Sequence, residues 1–344
     1  MSPTLRGLAG LLAFLITLPA HASREVHVLS YRGAEVVGPL FERFTAETGI
    51  EVRLQVLGAE AIGPALAALA ADDQPAPDLV ISVDALRFSD YAAQGLLRPL
   101  PAQALAAVPA SLRDPHGQWL GLSYRLRGPL YAPKVETDAD WPALLAALPQ
   151  RRVCHRDPSH VYAIGTLAWL RQAQGEAAAE GFARDVLAQA PRVDGGDRDQ
   201  ILAVLDGRCE IAFVNHYYLA RLRASADAEE ARAAARLHFG FAGADVALIG
   251  NVSAIALPRG GVQPDTADTL ARWLTGAAAL ELHARIFDEF PAGWPERDLQ
   301  LPDSVRPFSA LRMGPPLPAR VAETQAWARE RVTEALRSRN SSSP

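Results

Sequence analysis

The sequence predicts an α/β protein built as two lobes, each a mainly parallel sheet flanked by helices. Three observations carry this expectation. Strand and helix patterns alternate from Val26 to Ser82, and the same alternation returns between Arg152 and Leu257. The chain has 344 residues, and single hydrophobic cores stop growing beyond roughly 250–300 residues, so two cores suit it better than one.

The elements follow in order. Arg6 precedes an apolar run from Gly7 to Leu18, and Ala20-His21-Ala22 comes next. A basic start, a short apolar stretch and small residues before a cut are the layout of a cleaved secretory signal, here residues 1–22. The run is too short to cross a hydrocarbon core of roughly 30 Å as a stable helix, so export is expected, with the mature chain starting near Ser23. No cysteine follows the run, which argues against a lipid anchor. Val26-His27-Val28-Leu29 reads as a strand, and Arg32-Gly33 as a turn. Val36 to Thr48 has helical spacing through Val37, Leu40, Phe41 and Phe44, with Gly49 as the stop. Glu51 to Val56 alternates charged and apolar residues as a strand does, and Ile62 to Ala71 is helical again. Asp78 to Ser82 is a buried-type strand after the Pro75–Pro77 break.

In the second half, Arg152-Val153-Cys154 reads as a strand and Val161 to Gln172 as an apolar helix. Gly195-Gly196-Asp197 reads as a loop closing on an N-cap at Asp197, and Asp197, Arg198 and Asp199 as a solvated first turn. Arg198 to Leu205 is a helix ended by Gly207, and Glu210 to Val214 a strand. Asn251 to Leu257 reads as a further strand and Ala267 to Phe287 as one helix. Arg337 to Pro344 is polar and Ser-rich, the composition of a disordered tail.

Composition excludes several functions. Charged residues are 21% and hydrophobic ones 49%, with a net charge of −5 and no basic block, so nucleic acid is a poor partner. Lys134 is the sole lysine, a bias that carries no functional weight. There is no Cys-x-x-Cys, no metalloprotease His spacing, no phosphate loop and no Gly-x-Ser-x-Gly elbow. No nucleophile is paired with a base, so a binding protein is expected rather than an enzyme. The two cysteines, Cys154 and Cys209, suit one disulfide in an oxidising compartment or two buried thiols.

Asn215-His216-Tyr217-Tyr218 sits at a strand's carboxyl end, where open α/β sheets bind ligands. Adjacent tyrosines in a chain with seven are uncommon. They read either as an aromatic pair, one ring in the core and one outside, or as two phenolates on one hard cation. A phenol of pKa near 10 ionises at neutral pH only beside a strong positive charge, and Fe(III) supplies one. Tyr162 opens the Val161 helix, where an anion is favoured, or where a capped helix start simply half-buries a ring.

Taken in order, the pieces resemble the ferric-ion substrate-binding proteins of ABC transporters. Leu29-Ser30-Tyr31-Arg32 is similar to that family's Tyr-Ser-Tyr-Arg, and Phe44 to Ile50 to its Phe-x-x-x-Thr-Gly-Ile. Asp78 to Asp84, DLVISVD, resembles DVLLTVD. Trp119 to Arg127 resembles Trp-x-Gly-Leu-x-x-Arg-x-Arg, where the chain crosses between lobes. Gly195 to Gln200 resembles GGDRDQ, and Asn215 to Tyr218 resembles Asn-x-Tyr-Tyr. The resemblance implies a type II periplasmic-binding-protein clamshell. Lobe 1 would be residues 23–126 with 245–290, lobe 2 residues 127–244 with 291–336, and residues 337–344 a disordered tail. It further implies Fe(III) as cargo on Tyr162, Tyr217 and Tyr218, and carbonate or a similar anion near Arg32, Arg125 and Asn215. Tyr31, Ser159 and Asp84 are additional cleft candidates. The first-lobe ligands of many relatives fall at Gly33, Ala34 and Val83 here, which cannot ligate. A monomer handing iron to an inner-membrane permease is the expected role. The rivals are the same fold carrying an oxyanion, phosphonate or polyamine, and a metal-dependent enzyme on the same lobes, for which no base is found.

Overall fold

The computed structural model describes residues 24–72, 75–187, 193–243, 245–314 and 321–341, so the expected leader lies outside the described residues. The first half runs β1 (Glu25–Ser30), α1 (Ala34–Thr48), β2 (Glu51–Val56), α2 (Ala59–Ala71), β3 (Leu79–Ser82), α3 (Ala85–Ala93), β4 (Leu97–Arg98), α4 (Ala102–Ala106) and β5 (Trp119–Tyr131). It continues through α5 (Trp141–Ala147), β6 (Val153–Cys154), α6 (Val161–Gln174), α7 (Glu176–Phe182), α8 (Asp197–Leu205), β7 (Ile211–Asn215), α9 (His216–Arg223), α10 (Ala228–Ala235) and β8 (His238–Phe239). The chain closes with β9 (Ala247–Pro258), α11 (Pro264–Leu274), α12 (Ala277–Phe287), β10 (Phe290–Pro291), β11 (Arg312–Met313) and α13 (Val321–Ser341). Among the described residues no helix is long and apolar enough to cross a membrane.

Helix α1 shows how local pattern becomes packing. Val37, Leu40, Phe41 and Phe44 form one buried stripe, and Gly49 ends the helix at φ 70° with its N–H on the Thr45 carbonyl. Only glycine adopts that conformation at little cost.

The strands join in one mixed sheet, along the path β2-β1-β3-β9-β5-β7-β6. Pairing is parallel at the outer strands of each lobe, β1 with β2 and β3, and β6 with β7. At the centre it is antiparallel, β9 pairing with both β3 and β5, and β5 with β7. The mainly parallel expectation therefore holds away from the centre only. Strand β5 leaves the first lobe and β9 returns to it, so the two must run in opposite directions. β5 changes partner at Arg127, which lies opposite both Ile249 of β9 and Asn215 of β7. All of β5 is buried, which places its two arginines in the interior.

Three expectations change. The helix expected over Ala267 to Phe287 is two helices, because Gly276 is extended and serves as the N-cap of α12. The tail expected to be disordered from Arg337 is helical through Ser341, on a helix whose Ala328, Val332 and Ala335 are buried in the second lobe's core. Residues 291–301, assigned to lobe 2, tie to first-lobe elements: Arg297 donates to the Ala107 and Thr275 carbonyls, and the Gln300 N–H to Glu281.

The second lobe has its own aromatic core, with Trp141 5.1 Å from Trp169 and Phe182 5.0 Å from Phe213 between ring centroids. Cys154 and Cys209 form a disulfide with Cα atoms 5.7 Å apart, bracing β6 against the turn that feeds β7.

Candidate metal centre

Two helix starts bring the phenols together. His160 caps α6, its Nδ1 accepting the Tyr162 N–H at 3.1 Å. Asn215 occupies the same place before α9, so Tyr217 and Tyr218 fall in that helix's first turn. The Tyr162 and Tyr217 hydroxyls lie 3.3 Å apart, and the Tyr218 ring lies 4.5 Å from that of Tyr217. Tyr217 is 4% exposed, while Tyr162 and Tyr218 are half-buried.

Burial first, then the neighbouring Tyr162, push the Tyr217 phenol well above its usual pKa. Tyr218 is raised by burial, then by Asp197 and Tyr162. Both are neutral phenols without a cation, so a cation that binds them must displace protons. Among the described residues no three His, Cys, Asp or Glu side chains are grouped to hold a metal. The available donors are therefore hard oxygens, which suit hard cations.

Three guanidinium groups face the Tyr162 ring: Arg125 at 5.6 Å, Arg127 at 5.3 Å and Arg156 at 5.4 Å from its centroid. Arg125 is 1% exposed and pairs with Glu289 at 3.5 Å. Burial opposes its charge, but Tyr162, Glu289 and Tyr217 outweigh that and raise its pKa. Its Nε and Nη2 have no hydrogen-bond partner among the described residues. Glu289 in turn accepts from Ser253 Oγ at 2.8 Å and from Ser123 Oγ.

The other candidates divide. Asn215 is buried, and both its N–H and its Nδ2 donate to Asp197, so its amide is engaged inside the protein. Asp84, a cleft candidate, stands past the end of β3 as the N-cap of α3. From there it lines a narrow cavity with Tyr162, Asn215 and Asn251, because the alternation of a strand no longer applies. Arg32 packs over Tyr31 at 5.1 Å and Phe287 at 5.7 Å on the first lobe. Ser159 is exposed and donates to Asp157 at 2.7 Å within a local turn.

Asp197 is the residue the sequence misleads on. It is fully buried, the first residue of α8 rather than its cap, and no part of a solvated turn. Local composition carries no signal for this, since the same Gly-Gly-Asp turn would be read as exposed in any loop. Arg156, over the Tyr162 ring, and His160, the cap of α6, carry no local signal either. Arginine stacking and capping depend on what the fold places beside them.

A bacterial extracellular solute-binding protein family model matches residues 31–281. Iron uptake protein A1 of Synechocystis is 31% identical over 209 residues, covering 59% of this chain and 58% of that protein. A Trichodesmium structure in complex with iron and citrate superposes at TM-score 0.80 with 24% identity, covering 90% of this chain and 99% of the other. A Bordetella ferric binding protein gives 0.77 with 26% identity, over 90% and 98%. The family match runs from the end of β1 into α12, through both lobes and every phenol of the site: the chain belongs to the bacterial extracellular solute-binding proteins.

Proposed function

We propose that this chain is the periplasmic Fe(III)-binding component of an ABC importer and acts by binding, not catalysis. One ferric ion is held between the lobes by the phenolates of Tyr162, Tyr217 and Tyr218. The observation that carries this is the meeting of three phenols from two helix starts, with 3.3 Å between the Tyr162 and Tyr217 hydroxyls. In binding, three O–H bonds break, three Fe–O bonds form and three protons leave to solvent. Three phenolates balance the charge of Fe(III) but leave open positions on an ion that takes about six oxygens, as hard cations do. A small anion, carbonate or a carboxylate such as citrate, fills them. The unpartnered Nε and Nη2 of Arg125 are the donors that favour an anion here. Arg32 meets the anion from the first lobe when the lobes close. The names of similar proteins support iron as the cargo.

Titration of the purified apo protein with ferric nitrilotriacetate in bicarbonate buffer tests the reading. A visible phenolate-to-iron band and one retained iron per chain are expected. A colourless protein with no retained iron would sink it.

A further inference from the structure

We propose that Asp197 is a positioning residue for the tyrosine site. Its one buried carboxylate holds in register the segments that carry Tyr162, Tyr217 and Tyr218. This rests on the iron-binding reading above and adds a residue that is not among the proposed ligands.

Asp197 is 0% exposed and accepts five hydrogen bonds from four segments. Arg127 Nη1, from β5, donates to Oδ2 at 2.8 Å. Arg156 Nη1, from the loop before α6, donates to Oδ1 at 3.2 Å. The Asn215 N–H and Nδ2, at the end of β7, donate to Oδ2 at 2.9 and 3.1 Å. Gln200 Nε2, within α8, donates to Oδ1 at 3.3 Å. Two of these bonds are charge-assisted at both ends, the strong kind.

The donors outside α8 each lead to a phenol. Arg127 and Arg156 lie on the Tyr162 ring at 5.3 and 5.4 Å. Arg127 also reaches Thr166 Oγ1 at 3.3 Å, and Thr166 donates to the Tyr162 carbonyl at 2.8 Å. Asn215 immediately precedes α9 and so sets where Tyr217 and Tyr218 begin. A single anion thus joins the start of α6 to the start of α9. Preorganised ligands lose less freedom on binding, and a shift of an ångström at such a site is costly.

Neutralising Asp197 loosens iron binding, because Arg127 and Arg156 lose their shared anchor.

The test is Asp197→Asn in the full mature chain, loaded with ferric nitrilotriacetate and bicarbonate. Iron affinity is expected to fall at least tenfold and the visible phenolate band to shift. Asp199→Ala is the control. It deletes the bond from the Gly196 N–H at 2.7 Å, a loss of stability in the same turn, without touching either arginine. Its affinity and band should match the parent. Arg156→Gln, at a half-buried position, should follow Asp197→Asn in direction and carries the test if that variant does not fold. Unchanged or tighter binding in Asp197→Asn, an unchanged band in Arg156→Gln, or an equal loss in Asp199→Ala overturns the proposal. A parent protein with no ferric band overturns the iron reading instead, and the positioning role falls with it.

Discussion

The Tyr217 hydroxyl sits in a nearly dry environment, 3.3 Å from that of Tyr162, and the ring below it is packed. Replacing Tyr217 or Tyr218 by Phe keeps the ring and removes the charged oxygen. Iron affinity is expected to fall more than tenfold, at least about 1.4 kcal/mol. The apo melting temperature should move little, since one neutral hydrogen bond contributes only about 1 kcal/mol. Equilibrium competition against a chelator reads the first effect and calorimetry the second. Iron binding that is unchanged in both variants would remove the ligand assignment. Ser159→Ala is expected to bind iron as the parent does, because its exposed hydroxyl serves Asp157. The Tyr pair was nominated by rarity and by its place after a strand. Which other groups surround it was not legible. Arg125 is a hinge-strand residue, yet its fellow groups Glu289 and Ser253 come from segments more than a hundred residues away in sequence.

At the scale of elements, β6 and β7 are a short parallel pair whose strand ends lead to Tyr162 and Tyr217. The Cys154–Cys209 bridge, spanning 55 residues of sequence, closes the loop that contains α6, α7 and α8. A crosslink of that span restricts the unfolded chain by about 4 kcal/mol in the loop-entropy account. Cys154→Ala combined with Cys209→Ala should lower unfolding free energy by that order and loosen iron binding as well, since the two phenol-bearing segments lose their brace. Denaturant midpoints with and without reductant measure it, and identical midpoints would show that the bridge does not form in solution. Element positions followed from periodicity and stop residues, as α1 shows. The break at Thr275–Gly276 is masked because apolar spacing continues on both sides of Gly276, through Leu270 and Leu274 before it and Leu280 after it.

For the whole molecule, the interlobe region buries charge and two histidines with it. His216 is fully buried and accepts the Leu126 N–H at 3.2 Å, tying α9 to β5. His283 lies 3.1 Å from Ser123 in the Glu289 cluster. Burial lowers both to a pKa of about 4, against about 6.5 in an unfolded chain. Between those values the unfolded chain binds protons that the folded one refuses. The stability from these groups is complete above about pH 6.5 and is lost as pH falls toward 4, by about 1.4 kcal/mol per pH unit for each. Urea unfolding of the apo protein should therefore show a loss of up to about 4 kcal/mol from pH 7.5 to 5. A pH-independent midpoint over that range would mean that these rings meet water more freely than the fold shows.

The amino-acid sequence by itself determined the alternation of strands and helices, the two-lobed class and the segment in which two tyrosines stand together. Those features depend on neighbours a few residues apart: apolar spacing, Gly stops and strand ends. Tertiary structure alone decided which strands run antiparallel, because direction depends on how often the chain crosses between lobes. It alone placed Tyr162 beside Tyr217, stacked three arginines on one ring, and turned an acidic residue of an ordinary-looking loop into a buried anchor. Burial and pairing are properties of a residue's surroundings in space, and the surroundings of Asp197 come from its own helix and three separate stretches of chain.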